Sequence, residues 1–187
     1  SLDFKPTEVF ELGLGTNNED TPSHMGRSGT PGASLRGFRE YFPNANIYGA
    51  DVDKRVLFQE ERIKTYYCDQ TNPKVIKNMW EEIGVEGFDL ILEDGLHETF
   101  ANKIFFSNSY DRLKPGGIYI IEDIVNTERE AILNFLNEFE CTAKLVFQLP
   151  VTNLWTDGTR FNGRVNSHDN SLACLLYTSP SPRDQRG

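Results

Sequence analysis

Short apolar segments alternate with longer amphipathic segments along most of the chain. Strands are predicted near residues 8–12, 46–51, 63–67, 88–93, 117–122, 143–149 and 170–175. Helices are predicted between them at 33–41, 73–84, 98–113 and 127–139. This alternation is typical of repeated βαβ units with a parallel sheet. The pattern predicts an α/β fold: a doubly wound, mostly parallel, seven-stranded Rossmann-like sheet with helices on both faces.

The later strands are nearly continuous apolar runs, Leu90-Ile91-Leu92 and Ile118-Tyr119-Ile120-Ile121. Strands with this composition are expected where helices cover both faces of a sheet. In such folds ligands bind outside the carboxyl ends of the strands. The polar residues that directly follow each predicted strand are therefore the candidate functional residues.

A glycine pair follows the first strand in the sequence Glu11-Leu12-Gly13-Leu14-Gly15. Glycines after a strand allow the backbone to approach a bound nucleoside closely. Position 18 is Asn where the dinucleotide fingerprint has a third glycine, and residues 13–18 include no basic side chain. We therefore expect Glu11, Gly13 and Gly15 to bind a compact cofactor without phosphates rather than NAD.

Acids also follow the second and third strands. Asp51 can accept both ribose hydroxyls, and Asp53 is the alternate because strand alternation places it on the same side. Asp69 closes the third strand and can accept a hydrogen bond from an adenine amino group. Asp69 could equally cap the helix that begins near Pro73.

Two acid pairs, Glu93-Asp94 and Glu122-Asp123, follow the next two strands. Asp94, Glu122 and Asp123 would bring three oxygen ligands together, which suits Mg²⁺ or Ca²⁺ better than zinc. The alternative is that one acid of each pair is solvated and the other caps a helix.

His97 lies three residues beyond Asp94. If a helix starts here, both side chains lie on one face of it, and His97 could accept a proton from a substrate hydroxyl near neutral pH. Asp94 and His97 are thus the candidate catalytic residues. A helix-capping or surface role for His97 is the alternative.

Two loops are candidates for contact with ligands. Residues 16–31 are too polar and glycine-rich for a helix and are predicted to form a lid over the cofactor. The second loop lies later in the chain, and five of its residues could contact substrate. For most of them a role as solvated loop residues is the simpler interpretation. These five residues are Trp155, Asp157, Arg160, Phe161 and Arg164.

The net charge of −9 and the three cysteines restrict the class of protein. The charge gives no broad cationic field, so nucleic acid is not an expected partner. Three widely spaced cysteines indicate a reducing compartment, and no apolar run is long enough to span a membrane. The sequence also lacks the basic and apolar parts of a signal peptide, so we expect a cytoplasmic protein.

One domain is predicted over residues 1–173. The chain begins at Ser1 almost directly before a strand, so upstream helices are expected to be missing. Residues 174–187 resemble translated sequencing-adapter sequence and are predicted to be a non-native tail.

Four segments together resemble class I S-adenosylmethionine-dependent methyltransferases: residues 9–16, 47–53, 88–97 and 113–123. A narrower resemblance is to metal-dependent sugar O-methyltransferases of macrolide biosynthesis and the related cephalosporin hydroxylase group. It depends on Gly32-Ala33-Ser34-Leu35-Arg36, residues 42–49, Glu93-Asp94-Gly95-Leu96-His97 and Ile121-Glu122-Asp123. Members often carry Asp-Asp-Gly-Ser-His where this chain has Glu93 and Leu96.

The resemblance implies transfer of a methyl group from S-adenosylmethionine to a hydroxyl of a sugar or polyhydroxylated natural product. It implies that Mg²⁺ is bound by Asp94, Glu122 and Asp123, and that His97 is the base. In the relatives an upstream region contributes to oligomers, so a homo-oligomer stays open. The alternatives are an NAD-dependent oxidoreductase and a noncatalytic cofactor-binding fragment.

Overall fold

The computed structural model describes residues 4–141, 143–148 and 171–177. Its strands are β1 Glu8–Leu12, β2 Asn46–Asp51, β3 Gln59–Glu60, β4 Ile63–Tyr67, β5 Phe88–Glu93, β6 Leu113–Ile124, β7 Ala143–Gln148 and β8 Ser171–Leu176. Its α-helices are α1 Ala33–Tyr41, α2 Pro73–Ile83, α3 Thr99–Ser107 and α4 Arg129–Leu136. Short 3-10 helices cover Lys54–Val56, Tyr110–Arg112 and Asn126–Glu128.

The described strands form one mixed sheet with the order β3-β4-β2-β1-β5-β6-β8-β7. The central strands β4, β2, β1, β5 and β6 are parallel, whereas β3, β8 and β7 pair antiparallel with their neighbours. The chain builds outward from β1 through β2 to β4 and then returns to add β5 on the other side of β1. Open sheets bind ligands at such a reversal of strand order.

The predicted α/β fold with a mostly parallel sheet is confirmed, and the described strands number eight rather than seven. The additional strand, β3, has two exposed polar residues and no apolar pattern by which the sequence could indicate it. Arg62, in a left-handed conformation with φ 59°, lies in the tight turn that pairs β3 with β4.

Several elements also differ from the predicted bounds, and β6 spans Leu113–Ile124 rather than 117–122. The predicted helix over 98–113 divides into α3 and a 3-10 helix, and the helix over 127–139 is shorter as α4. Strand β8 continues three residues past Ala173, and Leu175 is fully buried between β6 and β7.

Helix α2 shows how local sequence sets the element bounds. Asn72 caps it, because its side chain accepts a hydrogen bond from Lys74 N–H at 3.1 Å. Pro73 occupies the first turn, where no N–H is needed, and Gly84 ends the helix with φ 68°. The helix cap is therefore Asn72 and not Asp69.

Alternation along β1 directs side chains into two separate hydrophobic clusters. Val9 packs in one cluster with Leu35 of α1. Phe10 packs in the other, with its ring centroid 4.5 Å from that of Trp80 in α2 and 6.2 Å from that of Phe105 in α3. Strand β1 thus contacts both hydrophobic clusters at the centre of the sheet. This packing fixes the position of the residues that follow β1.

Within the described residues, every helix is too short or too polar to cross a lipid bilayer. Cys68, Cys141 and Cys174 are free thiols.

Candidate active site

A cavity of about 840 Å³ lies at the carboxyl ends of β1, β2, β4, β5 and β6. Most of the residues predicted to act in the site line this cavity: Glu11, Gly13, Gly15, Asp51, Asp69, Asp94, His97, Glu122 and Asp123. Asp53, which is also described, does not line it. The topology therefore brings residues from five separate segments to one place.

Gly13 cannot carry a side chain in this backbone. Its φ is 93°, and a Cβ atom would lie 1.8 Å from the carbonyl oxygen of Asp94. The N–H of Gly13 donates to Ala50 O at 2.8 Å, and the N–H of Asp94 donates to Leu12 O at 2.8 Å. The glycine turn is therefore in direct contact with the segment that carries Asp94.

Asp51 holds the backbone of the glycine turn. Its Oδ2 accepts a hydrogen bond from Leu14 N–H, and its Oδ1 accepts one from Asp53 N–H, both at 2.8 Å. Burial raises the pKa of Asp51, partly offset by these backbone hydrogen bonds. Each carboxylate oxygen has a second lone pair, so the side chain can also accept from a ligand in the cavity.

Asp53 is directed away from the cavity and organises the loop that follows the glycine turn. Its Oδ2 accepts hydrogen bonds from the Thr16 hydroxyl and the Asn18 amide, each at 2.7 Å. The Arg55 guanidinium donates to Oδ1 at 2.7 Å, and it is the main cause of the lowered pKa of Asp53. Strand β2 ends at Asp51, so the alternation that grouped the two acids does not extend to Asp53.

Asp69 and Glu11 lie on opposite sides of Asp51. Asp69 Oδ1 accepts from the Thr71 N–H and hydroxyl, at 2.9 and 2.6 Å. Glu11 accepts a hydrogen bond from the Ser34 hydroxyl at 2.6 Å. Burial, with repulsion from Asp94 among the lesser causes, raises the pKa of Glu11 to about 8.

Asp94, His97 and Asp123 form a group that could hold a metal ion. One ligand atom from each lies within 4.8 Å of the others. His97 Nε2 is 3.0 Å from Asp94 Oδ1 and 3.9 Å from Asp123 Oδ2. Helix α3 begins only at Thr99, so this contact is made by a loop rather than by one face of a helix, and His97 has a left-handed backbone with φ 60°.

Glu122 lines the same cavity but is not a member of that group. Burial and the nearby charges of Asp94 and Asp123 raise the pKa of Glu122 to about 7. The acids contributed by β5 and β6 therefore repel one another, and a bound cation would relieve this repulsion.

Glu93 belongs to a buried polar network behind the cavity that the sequence did not indicate. The Tyr119 hydroxyl donates to its Oε2 at 3.0 Å, and the Gln70 amide donates to its Oε1 at 3.3 Å. Asn102 donates to Oε1 at 3.2 Å in the amide orientation that satisfies its hydrogen bonds. Gln70, Asn102 and Tyr119 lie far from Glu93 in the sequence, so the sequence does not indicate their contacts. The acid pair Glu93-Asp94 is the feature of the sequence that draws attention to Glu93.

The loop over residues 16–31 covers part of the cavity. Met25 N–H donates to Thr16 O at 2.8 Å, and a Cβ atom on Gly15 would lie 2.3 Å from Met25 Sδ. The Ser23 hydroxyl donates to Leu96 O at 3.1 Å, so the loop contacts the segment between Asp94 and His97. The later candidates Trp155, Asp157, Arg160, Phe161 and Arg164 lie outside the described residues.

The chain is similar in sequence to several O-methyltransferases, one of them named for a rhamnosyl tetracenomycin. It is 30% identical over 121 residues to the 8-demethyl-8-alpha-L-rhamnosyl tetracenomycin-C 2'-O-methyltransferase of Streptomyces olivaceus, covering 65% of this chain and 30% of the relative. It is 32% identical over 122 residues to the mycinamicin VI 2''-O-methyltransferase of Micromonospora griseorubida, covering 65% of this chain and 29% of the relative. The predicted resemblance to sugar O-methyltransferases is confirmed.

A solved structure agrees with the sequence similarity. The MycE methyltransferase of the mycinamycin pathway, in complex with Mg, SAH and mycinamycin VI, matches with a TM-score of 0.53 and 28% identity. The match covers 65% of this chain and 31% of MycE. No protein-family model matches the chain. The chain spans about 30% of the length of the curated relatives named here.

Proposed function

We propose that the protein is an S-adenosylmethionine-dependent O-methyltransferase that uses Mg²⁺ and acts on a hydroxyl of a sugar or another polyhydroxylated molecule. The proposal is carried by the group of Asp94, His97 and Asp123 in the same cavity as the glycine turn. The relatives named above are O-methyltransferases, and the MycE structure contains Mg and SAH. The fold is then the doubly wound sheet expected for this class, with helices on both faces.

The cofactor would occupy the part of the cavity beside Gly13, Gly15 and Asp51. Gly13 and Gly15 line this part of the cavity, and Asp51 is proposed to accept the ribose hydroxyls while it holds Leu14 N–H. Asp69 is proposed to accept from the adenine amino group, and Glu11 lies near the cationic methionine end. Asp53 is proposed to support cofactor binding indirectly, because it holds the loop that begins at Thr16.

The chemistry of the donor set fits Mg²⁺. Asp94, Asp123 and Glu122 supply carboxylate oxygens, the ligands that Mg²⁺ prefers. The raised pKa of Glu122 follows from burial and from its acidic neighbours, as expected where a cation is needed to offset their charge. When bound, the ion would orient the acceptor hydroxyl and lower its pKa.

The protein side chains would handle the proton. With the Nε2–H of His97 donating to Asp94 Oδ1, the lone pair lies on Nδ1, and the carboxylate stabilises the charge that develops when Nδ1 takes the hydroxyl proton. The hydroxyl oxygen attacks the methyl carbon, the carbon–sulfur bond breaks, and its electron pair stays on sulfur to give S-adenosylhomocysteine. The loop over residues 16–31 would exclude water from the cavity during this step.

The remaining expectations from the sequence belong to the same proposal. The proposed partner is a small hydroxylated acceptor and not a nucleic acid. A homo-oligomer is compatible with the function. The proposed cytoplasmic location agrees with the three free cysteines. The predicted domain limits, 1–173 with a non-native tail at 174–187, are kept as a proposal, although β8 runs to Leu176.

A methyl-transfer assay tests the function. The full chain is incubated with S-adenosylmethionine labelled on the methyl group and a panel of deoxysugar glycosides, with Mg²⁺ or with chelator. The expected result is a labelled ether in at least one acceptor that disappears with chelator. Transfer that ignores the chelator would contradict the metal role. A chain that binds S-adenosylhomocysteine and Mn²⁺ but transfers no methyl group would instead be the noncatalytic fragment.

A further inference from the structure

One buried side chain bridges two positions on either side of Asp94. Gln70 follows β4 and is only 7% exposed. Its Oε1 accepts a hydrogen bond from Leu96 N–H at 2.7 Å, and its Nε2 donates to Glu93 Oε1 at 3.3 Å. The residue before Asp94 and the residue before His97 are thus tied to the same amide.

The amide of Gln70 is held in one orientation. Glu93 accepts from Tyr119 at 3.0 Å and, in the satisfied amide orientation, from Asn102 at 3.2 Å. Glu93, Tyr119 and Asn102 are each no more than 3% exposed. Rotation of the Gln70 amide would turn its NH₂ group toward Leu96 N–H and its oxygen toward Glu93, so both hydrogen bonds would be lost.

Gln70 also limits the path of the backbone between Asp94 and His97. A Cβ atom on Gly95 would lie 2.0 Å from Gln70 Oε1, so the amide lies directly against this peptide. Two residues later, His97 has a left-handed backbone with φ 60°. An unfavourable backbone of this kind persists only where surrounding contacts hold it.

We propose that Gln70 is a positioning residue that fixes the Gly95-Leu96 backbone and thereby keeps Asp94 and His97 in their 3.0 Å contact at the metal group. The inference depends on the proposed function for the identity of the metal group. Gln70 also lines the cavity, so the competing role is direct contact with the cofactor. If Gln70 is a positioning residue, removal of its amide weakens metal binding. If Gln70 contacts the cofactor, the same change weakens cofactor binding.

The test compares Gln70→Leu, Gln70→Glu and a control, Gln59→Leu, in the full chain without acceptor. Gln59 is an exposed glutamine in β3, at the far edge of the sheet. The affinity for Mn²⁺ is measured by electron paramagnetic resonance, the affinity for S-adenosylhomocysteine by calorimetry, and amide exchange at Leu96 by NMR. Melting temperatures show that each variant is folded.

Gln70→Leu is expected to weaken Mn²⁺ binding about tenfold, because the backbone between Asp94 and His97 loses the hydrogen bond that holds it, with S-adenosylhomocysteine affinity unchanged. Exchange at Leu96 should accelerate about tenfold while the other protected amides keep their rates. Gln70→Glu retains an acceptor for Leu96 N–H and should keep amide exchange at Leu96 near the wild-type rate, and Gln59→Leu should change neither the exchange rate nor Mn²⁺ affinity.

Two results would overturn the inference. One is wild-type Mn²⁺ affinity in a folded Gln70→Leu variant, and the other is loss of S-adenosylhomocysteine binding with Mn²⁺ binding retained, which would assign Gln70 to the cofactor. If the wild-type chain itself bound no Mn²⁺, the metal part of the proposed function would fail. Exchange at Leu96 would then decide alone whether Gln70 holds this backbone.

Discussion

His97 Nε2 lies 3.0 Å from Asp94 Oδ1. The two residues are three apart in a loop, and His97 has a left-handed backbone with φ 60°. The side chains are about one quarter and one third exposed, so both are accessible from the cavity. A neutral imidazole that donates from one nitrogen has its lone pair on the other.

Replacing His97 tests its role as the base. His97→Gln should lower the rate of methyl transfer about 100-fold or more, because general base catalysis contributes at least this factor. Affinity for S-adenosylhomocysteine should be unchanged. The rates are measured with an acceptor found in the panel assay, over a range of pH. A variant with the wild-type rate and pH profile would remove His97 from the chemistry.

Asp51→Asn tests the ribose contact. The substitution places an NH₂ group where a carboxylate oxygen now accepts, and should weaken binding of S-adenosylhomocysteine about tenfold or more, equivalent to about 1.4 kcal/mol. Calorimetric titration measures the effect. Asp111→Asn, at a side chain that is 78% exposed, is the matched control and should bind normally. Equal affinity of the two variants would place the ribose elsewhere.

Gly13→Ala and Gly37→Ala test the close approach of two strand ends. At Gly13 the new methyl group would lie 1.8 Å from Asp94 O in a left-handed backbone, so unfolding free energy should fall by about 3 kcal/mol or more. At Gly37, in α1, nothing lies within 4 Å, and the same change should stabilise the protein by about 0.5–1 kcal/mol. Urea denaturation measures both. A mild effect at Gly13 would mean that the turn and the Asp94 segment are not in contact.

Glu11→Gln tests the buried acid beside the cofactor site. The pKa of Glu11 is raised from 4.5 to about 8 by burial, so the folded state prefers the protonated acid. Its contribution to stability is then greatest below pH 4.5 and is lost as the pH rises through about 8. At pH 9 the variant should be more stable than the wild type by roughly 5 kcal/mol, and at pH 4 the two should be similar. A constant difference across this range would show that Glu11 ionises normally.

The strand ends were the predictable part of the site. Gly13, Asp51 and Asp94 follow apolar runs, and the carboxyl ends of parallel strands meet at one edge whatever the details of packing. Asp53 shows where this reasoning stops, since alternation applies only within a strand and β2 ends at Asp51. Its partner Arg55 lies in a 3-10 helix that the apolar pattern did not indicate.

The buried polar network around Glu93 could not be predicted from the sequence. Gln70, Glu93, Asn102 and Tyr119 come from four elements, and their contacts depend on how α3 packs against the sheet. Polar residues at such spacing are ordinary in sequence, and only burial shows that each needs its partner. The same limit applies to β3, whose residues form a strand only because the turn at Arg62 returns them to β4.

Calorimetric titration of the full chain with S-adenosylhomocysteine, repeated with NADH, tests the central claim most directly. We expect saturable binding of S-adenosylhomocysteine with a micromolar Kd, weakened about tenfold or more in Asp51→Asn, and no binding of NADH. Absence of S-adenosylhomocysteine binding in a chain shown to be folded, or preferential binding of NADH, would contradict the assignment of this cavity to S-adenosylmethionine.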